Sequence, residues 1–227
     1  MWILKKNILL CSDKKFKIIT TTKKIFCNKK NIKEVLKKLE IKNIYNILLC
    51  EQVHGNKVLF INRTHKKDTH KFFYYKDTDG IITNNPNNLI CIFTADCVPL
   101  FIINKKENIF GLIHIGRKGV LSGIVENAIK IISRYYAKNF YFILGAHICE
   151  KCYHINKNLV QNSLYGHNKK NQTFSLKKEI VGRLKKCGVS IKQIWTTKLC
   201  TYHNHSKLYS YRRGDKEERL VSIIYSK

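Results

Sequence analysis

The chain has 227 residues, 44% of them hydrophobic, and a formal net charge of +28. That is enough apolar material for a substantial core in one large domain or two small ones, while the lack of any run of about 18 apolar residues argues against a helical membrane span. The opening MWILKKNILLCSDKK is too short and too broken by lysine for a secretory signal, so the expected location is the cytoplasm.

Taken in order, the first clear pattern is Ile32, Val35, Leu36 and Leu39 within residues 29–40, which predicts a helix. Residues 45–53 read as a strand, with 55–62 as its continuation or partner. Residues 65–80 pass from polar to aromatic and end in a turn. The apolar runs NLICIFTAD and PLFIINKK have the length of buried strands and are broken at Asp96 to Pro99. ENIFGLIHIG is a further strand ending at Gly116. Beyond Gly119, residues Leu121, Ile124, Val125, Ala128, Ile131, Ile132 and Tyr135 keep helical spacing, predicting one amphipathic helix with Lys130 and Arg134 outward. FYFILGAHI is a strand, and FSLKKEIVGRLKKCG is a helix stopped by Gly188. KLYSYRR and RLVSIIY read as two closing strands joined by GDKEE. Strands and helices mix without regular βαβ alternation, so the expected fold class is α+β, with helices on a mixed sheet or pair of sheets. No linker or repeat divides residues 1–227, which are read as a single domain.

The charge by itself suggests nucleic acid or an anionic surface. Yet 36 of the 43 cations are lysine, scattered in pairs such as Lys5-Lys6, Lys66-Lys67 and Lys185-Lys186. Together with abundant Asn and Ile, this reads as compositional drift over a solvated surface rather than an arginine-lined groove. A nucleic-acid-binding protein without catalysis is the lowest-ranked reading, and weak nonspecific polyanion binding at low salt follows in any case. Nine cysteines in a cytosolic setting are expected to be reduced thiols, most of them packed as small hydrophobes.

Three candidate ligands stand at breaks in apolar runs: His54 in EQVHG, Cys97 in TADC and His114 in LIHIG. Two His and one Cys form a three-ligand zinc set with a fourth position open, and such an ion brings the pKa of bound water to about 7. Gaps of 43 and 17 residues do not by themselves force the three together. Asp96 reads as a positioning group or strand cap. Arg212 and Arg213 offer guanidinium forks suited to phosphate, against a solvated edge paired with Glu217 or Glu218. CEKC (Cys149, Cys152) has no second CxxC and reads as loop thiols. CTYHNH (Cys200, His203, His205) reads as a polar loop in preference to a second metal site. Asp79-Gly80 reads as turn chemistry.

The ordered segments EQVHGNKV, DTDGIITNNPNNLICIFTADCVPLFI, GLIHIGRKGVLSGIVENAI, LGAHICEKCYHI and LCTYHNHSKLYSYRR resemble the YfiH/laccase-domain family over residues 45–226. Members have been called polyphenol oxidase, peptidoglycan editing factor and purine nucleoside phosphorylase. The resemblance implies layered sheets flanked by helices. It also implies a metal bound by His54, Cys97 and His114, which would be the catalytic residues, with zinc as the ion and copper as the alternative. The implied activity is phosphorolysis of adenosine, inosine, guanosine and methylthioadenosine, with deamination of adenosine. The partners are purine nucleosides and phosphate, and the expected state is a monomer. The alternative is a hydrolase that edits peptidoglycan precursors. A multicopper centre would need paired HxH motifs, and the chain has only HNH. The chain departs from the family where it reads HIGRKG for the usual HAGWRG. That removes an indole and places Arg117 and Lys118 where a cation would attract phosphate. His154 also stands where a glutamate is common.

Overall fold

The computed structural model describes residues 3–5, 8–12, 15–25, 31–41, 46–62, 71–135 and 137–227. Its first sheet has the order β1-β2-β3-β15-β8-β4-β6, formed by β1 (Ile3–Lys5), β2 (Ile8–Ser12), β3 (Phe16–Thr21), β4 (Asn46–Cys50), β6 (Lys71–Tyr75), β8 (Asn88–Thr94) and β15 (Leu220–Ser226). The second has the order β14-β11-β9-β10-β7-β5, formed by β5 (Val58–Ile61), β7 (Gly80–Thr83), β9 (Val98–Asn104), β10 (Ile109–Ile115), β11 (Phe140–Leu144) and β14 (Ile194–Thr196). Both sheets mix parallel and antiparallel pairs. A small ladder joins β12 (His167–Asn168) to β13 (Thr173–Phe174).

The architecture is α+β, as expected, and has four layers. Helix α1 (Ile32–Lys38) sets Ile32, Val35 and Leu36 against Leu89, Cys91 and Phe93 of β8 on the outside of the first sheet. Alternate residues of the same strand, Ile90 and Ile92, point the other way and pack with Phe101, Phe110 and Leu112 of the second sheet. The outer face of the second sheet carries α2 (Arg117–Leu121), α3 (Ile124–Ile132) and α4 (Leu176–Lys186). Strands covered on both faces have no polar side to present. This is why β8, β9 and β10 are buried at every residue and read as continuous apolar runs. Burying one such Ile or Phe contributes roughly 1.5–3 kcal/mol, so the inter-sheet layer is the main source of rigidity under the site.

Three expectations need correction. Residues 55–62 do not pair with the strand before them: β5 lies beside β7 in the other sheet, with Val58 opposite Gly80. The helix predicted after Gly119 is two helices. The chain turns at Gly123, whose φ of 93° lies in the left-handed region that favours glycine. KLYSYRR is not a strand. Tyr211–Arg213 is a 3-10 turn capped by the Ser210 hydroxyl, and hydrogen bonds from the Arg213 side chain hold the loop. The polar-to-aromatic stretch 65–80 contains β6, paired in parallel with β4, while residues 65–70 of it lie outside the described set. The eight cysteines among the described residues are all free thiols. Among those residues no helix is long and apolar enough to cross a membrane.

Candidate metal centre and its cleft

The site forms where the chain changes sheets. Strand β4 belongs to the first sheet and β5 to the second, so residues 51–57 cross between them. Strands β8 and β9 repeat the crossing through Ala95, Asp96 and Cys97. The two crossings meet beside the end of β10, where His114 lies opposite Pro99. Tight crossings need unusual backbone: Gln52, His54 and Asp96 have φ of 63°, 61° and 90°. For residues other than glycine this costs about 1–3 kcal/mol each and persists only when the surroundings enforce it.

Those surroundings can be named. The Gln52 amide donates to Phe93 O at 2.7 Å and accepts from Phe93 N–H at 2.9 Å, clamping the first crossing to the end of β8. Asp79, fully buried, accepts from the backbone N–H of His54 at 3.0 Å and of Gly55 at 2.7 Å. Asp96 accepts from the Thr201 hydroxyl at 2.6 Å and from Arg212 N–H at 2.7 Å. The HxGxxG spacing has a steric cause. A Cβ on Gly116 would lie 2.9 Å from His54 Cδ2 and 3.1 Å from Cys97 Sγ, and one on Gly119 would lie 2.7 Å from Gly55 O. Both glycines let the His54 loop seat against α2.

The result brings His54, Cys97 and His114 together, with one ligand atom from each all within 4.8 Å of one another. The imidazoles meet edge to face, with centroids 4.7 Å apart. Exposure is graded: His114 is buried, Cys97 half-buried and His54 exposed. Asp79 Oδ1 lies 2.8 Å from His114 Nδ1. A carboxylate there accepts a hydrogen bond from Nδ1–H, which in a neutral ring leaves Nε2 as the lone-pair nitrogen. Burial works to raise the Cys97 thiol, but His114 and then His54 beside it bring it down to about 6. Burial works to lower His114, while the Cys97 sulfur and Asp79 raise it to about 9. The pair thus holds a thiolate against an imidazolium until something else balances the sulfur. A thiolate and two imidazoles are donors suited to zinc, and the solvent-facing side leaves room for a fourth ligand.

An open cleft of about 1110 Å³ lies over these residues. Arg117, Lys118, Arg212, Lys216 and Arg219 contribute to its walls, against Asp96 and Glu217. The Arg212 guanidinium sits 5.1 Å over the Tyr153 ring, and Arg117 Nη1 donates to Leu159 O at 2.6 Å. Of the predicted phosphate ligands, Arg117 and Arg212 therefore reach the cleft. Arg213 does not: its guanidinium is spent on Thr201 O, Tyr202 O and Leu208 O and on Asp215 at 2.6 Å, not on Glu217 or Glu218. Its role is to hold the loop that carries Arg212.

Three features escaped the sequence reading. Asp79 is the group that orients His114, while Asp96 ties loops together. Thr94 lines the cleft, is 1% exposed, and has no hydrogen-bond partner for its hydroxyl among the described residues. Finally, Cys149, Cys152, Cys200 and His203, assigned to two unrelated loops, form a second group of ligand atoms within 4.8 Å of one another. The sequence carries the signal as C-x-x-C followed by C-x-x-H, two unlike half-sites 48 residues apart.

Fold and site together define a four-layer α+β protein with a Cys/His₂ cluster at the floor of a cationic cleft. The model of the family described as multi-copper polyphenol oxidoreductase laccase matches residues 25–227, and the chain belongs to that family. Among its relatives, purine nucleoside phosphorylase Cj1217c of Campylobacter jejuni is 26% identical over 193 residues, covering 83% of this chain and 81% of the relative. Purine nucleoside phosphorylase YlmD of Bacillus subtilis is 27% identical over 193 residues, covering 78% and 69%. Among solved structures, YlmD from Geobacillus stearothermophilus superposes with a TM-score of 0.86 at 19% identity, covering 100% of this chain and 98% of that one. The Bacillus licheniformis YfiH protein gives 0.83 at 21%, covering 97% of each. At these identities the structural likeness speaks for the fold.

Proposed function

We propose that the chain is a zinc-dependent purine nucleoside phosphorylase that also deaminates adenosine, with inosine, guanosine and methylthioadenosine as further substrates. The observation that carries this reading is the His54, Cys97 and His114 cluster at the base of a cleft walled by arginine and lysine. The names of the relatives support the same reaction class. His54, Cys97 and His114 would hold the ion, with His114 positioned by Asp79. When bound, zinc supplies a hydroxide-like water at neutral pH.

The rest falls to the chain's own residues. Arg212, placed over the Tyr153 ring and tied through its backbone N–H to Asp96, and Arg117 would bind phosphate. The attacking phosphate oxygen forms a bond to C1′ of the ribose while the C1′–N9 bond breaks. N9 keeps the electron pair and gains a proton, giving free base and ribose 1-phosphate. In deamination, water adds at C6 of adenine and ammonia leaves. Positioning of phosphate is what Arg117 gains in place of the family's usual aromatic ring.

The test is incubation of metal-loaded protein with adenosine, with and without phosphate, followed by chromatography. Adenine with phosphate and inosine without it are expected, and both should vanish in Cys97→Ala. Metal-loaded protein that yields neither product would overturn the reading.

A further inference from the structure

The cluster of Cys149, Cys152, Cys200 and His203 lies outside the residues given a catalytic role. We propose that it is a second, structural metal site that binds zinc through three thiolates and one imidazole. The site would clasp together the two loops that bring Tyr153 and Arg212 to the cleft.

The geometry is that of a metal cage rather than a redox pair. Cys149 Sγ and Cys152 Sγ are 3.6 Å apart. A disulfide requires about 2.05 Å, whereas zinc–sulfur bonds of about 2.3 Å in a tetrahedron put neighbouring sulfurs roughly 3.7 Å apart. Cys152 Sγ lies 3.1 Å from His203 Nε2, and Cys149 Sγ lies 3.9 Å from His203 Nδ1. Tetrahedral geometry places sulfur and the one coordinating nitrogen about 3.5 Å apart, so Nε2 has to move only a few tenths of an ångström from Cys152 Sγ to take that place. One ligand atom from each of the four residues falls within 4.8 Å of all the others.

The spacing and the backbone agree. Cys149-x-x-Cys152 and Cys200-x-x-His203 are two half-sites of the pattern used by structural zinc. Each lies on a short turn, Glu150–Cys152 on one side and residues 201–203 on the other. Backbone contacts align the two half-sites. His147 and Cys200 form a parallel bridge, Thr201 N–H donates to His147 O at 3.1 Å, and Cys149 N–H donates to Cys200 Sγ at 3.3 Å. The last contact is the backbone-to-sulfur bond that steadies a thiolate ligand. Four protein ligands leave no open position, so the ion would have no substrate role.

The consequence follows from what adjoins each half-site. Tyr153 follows Cys152 directly. Thr201 follows Cys200 and donates to Asp96, which also holds Arg212 N–H. An ion joining the two turns fixes the spacing between the Tyr153 ring and the Arg212 guanidinium stacked on it. The metal claim does not depend on the proposed reaction. Only its effect on phosphate binding rests on that reading.

The test counts metal per chain after anaerobic purification and zinc loading. Wild type should hold about two zinc ions, Cys97→Ala about one, Cys152→Ser about one, and the double variant none. His203 is exposed, so His203→Ala should fold normally yet lower zinc affinity at this site by about 10-fold or more, and His203→Cys should restore it. Cobalt loading of Cys97→Ala should give intense sulfur-to-cobalt absorption that disappears in Cys97→Ala/Cys152→Ser. Wild type that never exceeds one zinc per chain would overturn the proposal. So would a Cys149–Cys152 disulfide, seen as loss of two hydrogens in the anaerobic protein, or cobalt absorption unchanged by the Cys152 substitution.

Discussion

The two Cys/His clusters differ in everything except donor chemistry. The His54, Cys97 and His114 cluster sits where the chain crosses between sheets, offers three candidate ligands, and opens into a cleft. Its orientation depends on a buried carboxylate, Asp79, and on the close approach that Gly116 permits. The Cys149, Cys152, Cys200 and His203 cluster lies on two loops, offers four candidate ligands, and in the proposal above joins those loops. A centre that must accept substrate keeps a vacancy and rigid support, while a centre that only fastens loops closes its shell. The same element would serve reactivity in one place and architecture in the other.

The sharpest test of this contrast is a pair of substitutions. Cys97→Ala is expected to lower phosphorolysis by about 10²–10³-fold, the scale of removing a preorganised electrostatic element. Cys152→Ser should retain kcat within a few-fold and instead raise KM for phosphate and lower Tm. Equal loss of kcat in both would erase the distinction.

Glu179 tests whether the second region is held independently of the first. Its carboxylate accepts from Ser163, Leu164, Tyr165 and Gly166, and pairs with Arg183 at 2.7 Å. Glu179→Gln should cost about 1–3 kcal/mol of stability by weakening the anchor of residues 163–166, while Arg183 keeps Glu126 at 2.8 Å, measured by urea unfolding, with metal content at the Cys97 site unchanged. Burial works to raise Glu179, but the Tyr165 N–H, Arg183 and the other donors hold it below the usual carboxylate value. A depressed folded pKa stabilises fully above the ordinary glutamate value and is lost as pH falls through the lower folded value. Acid should therefore destabilise wild type more steeply than Glu179→Gln.

A smaller effect is expected at Asp79. Asp79→Asn keeps the volume but loses a charge and an acceptor, and should weaken zinc at the Cys97 centre by about 10–100-fold, read by competition with a chelator. Zinc held by Cys152 should not change. The smallest effect distinguishes neighbouring arginines. Arg212→Lys should raise KM for phosphate several-fold with Tm unchanged, and Arg213→Lys should lower Tm with a smaller rise in KM, because Arg213 acts only through the loop that carries Arg212.

Much of this was legible in the chain. Continuous apolar runs disclosed β8, β9 and β10, and Ile32, Val35 and Leu36 disclosed α1, because burial leaves a periodic mark. His54, Cys97 and His114 were legible because each interrupts such a run in an ordered set of motifs. Three things left no such mark. A sheet change looks like a turn, so β5 was assigned beside β4. The role of Asp79 depends on the 54–55 backbone meeting it from another element, and Asp-Gly at a turn has a sufficient local explanation. Arg212 and Arg213 are adjacent and chemically identical, and only the 3-10 turn decides which reaches the cleft.

The double crossing between sheets has a temporal consequence. His54 and Cys97 lie on separate crossings and His114 on a strand of the second sheet, so the first centre does not exist until both sheets have docked. In a nascent or refolding chain these are three ordinary side chains far apart in sequence, and contacts of that span form late. Tight zinc uptake at Cys97 would then mark the completion of folding, a clock that starts only when the last layer closes.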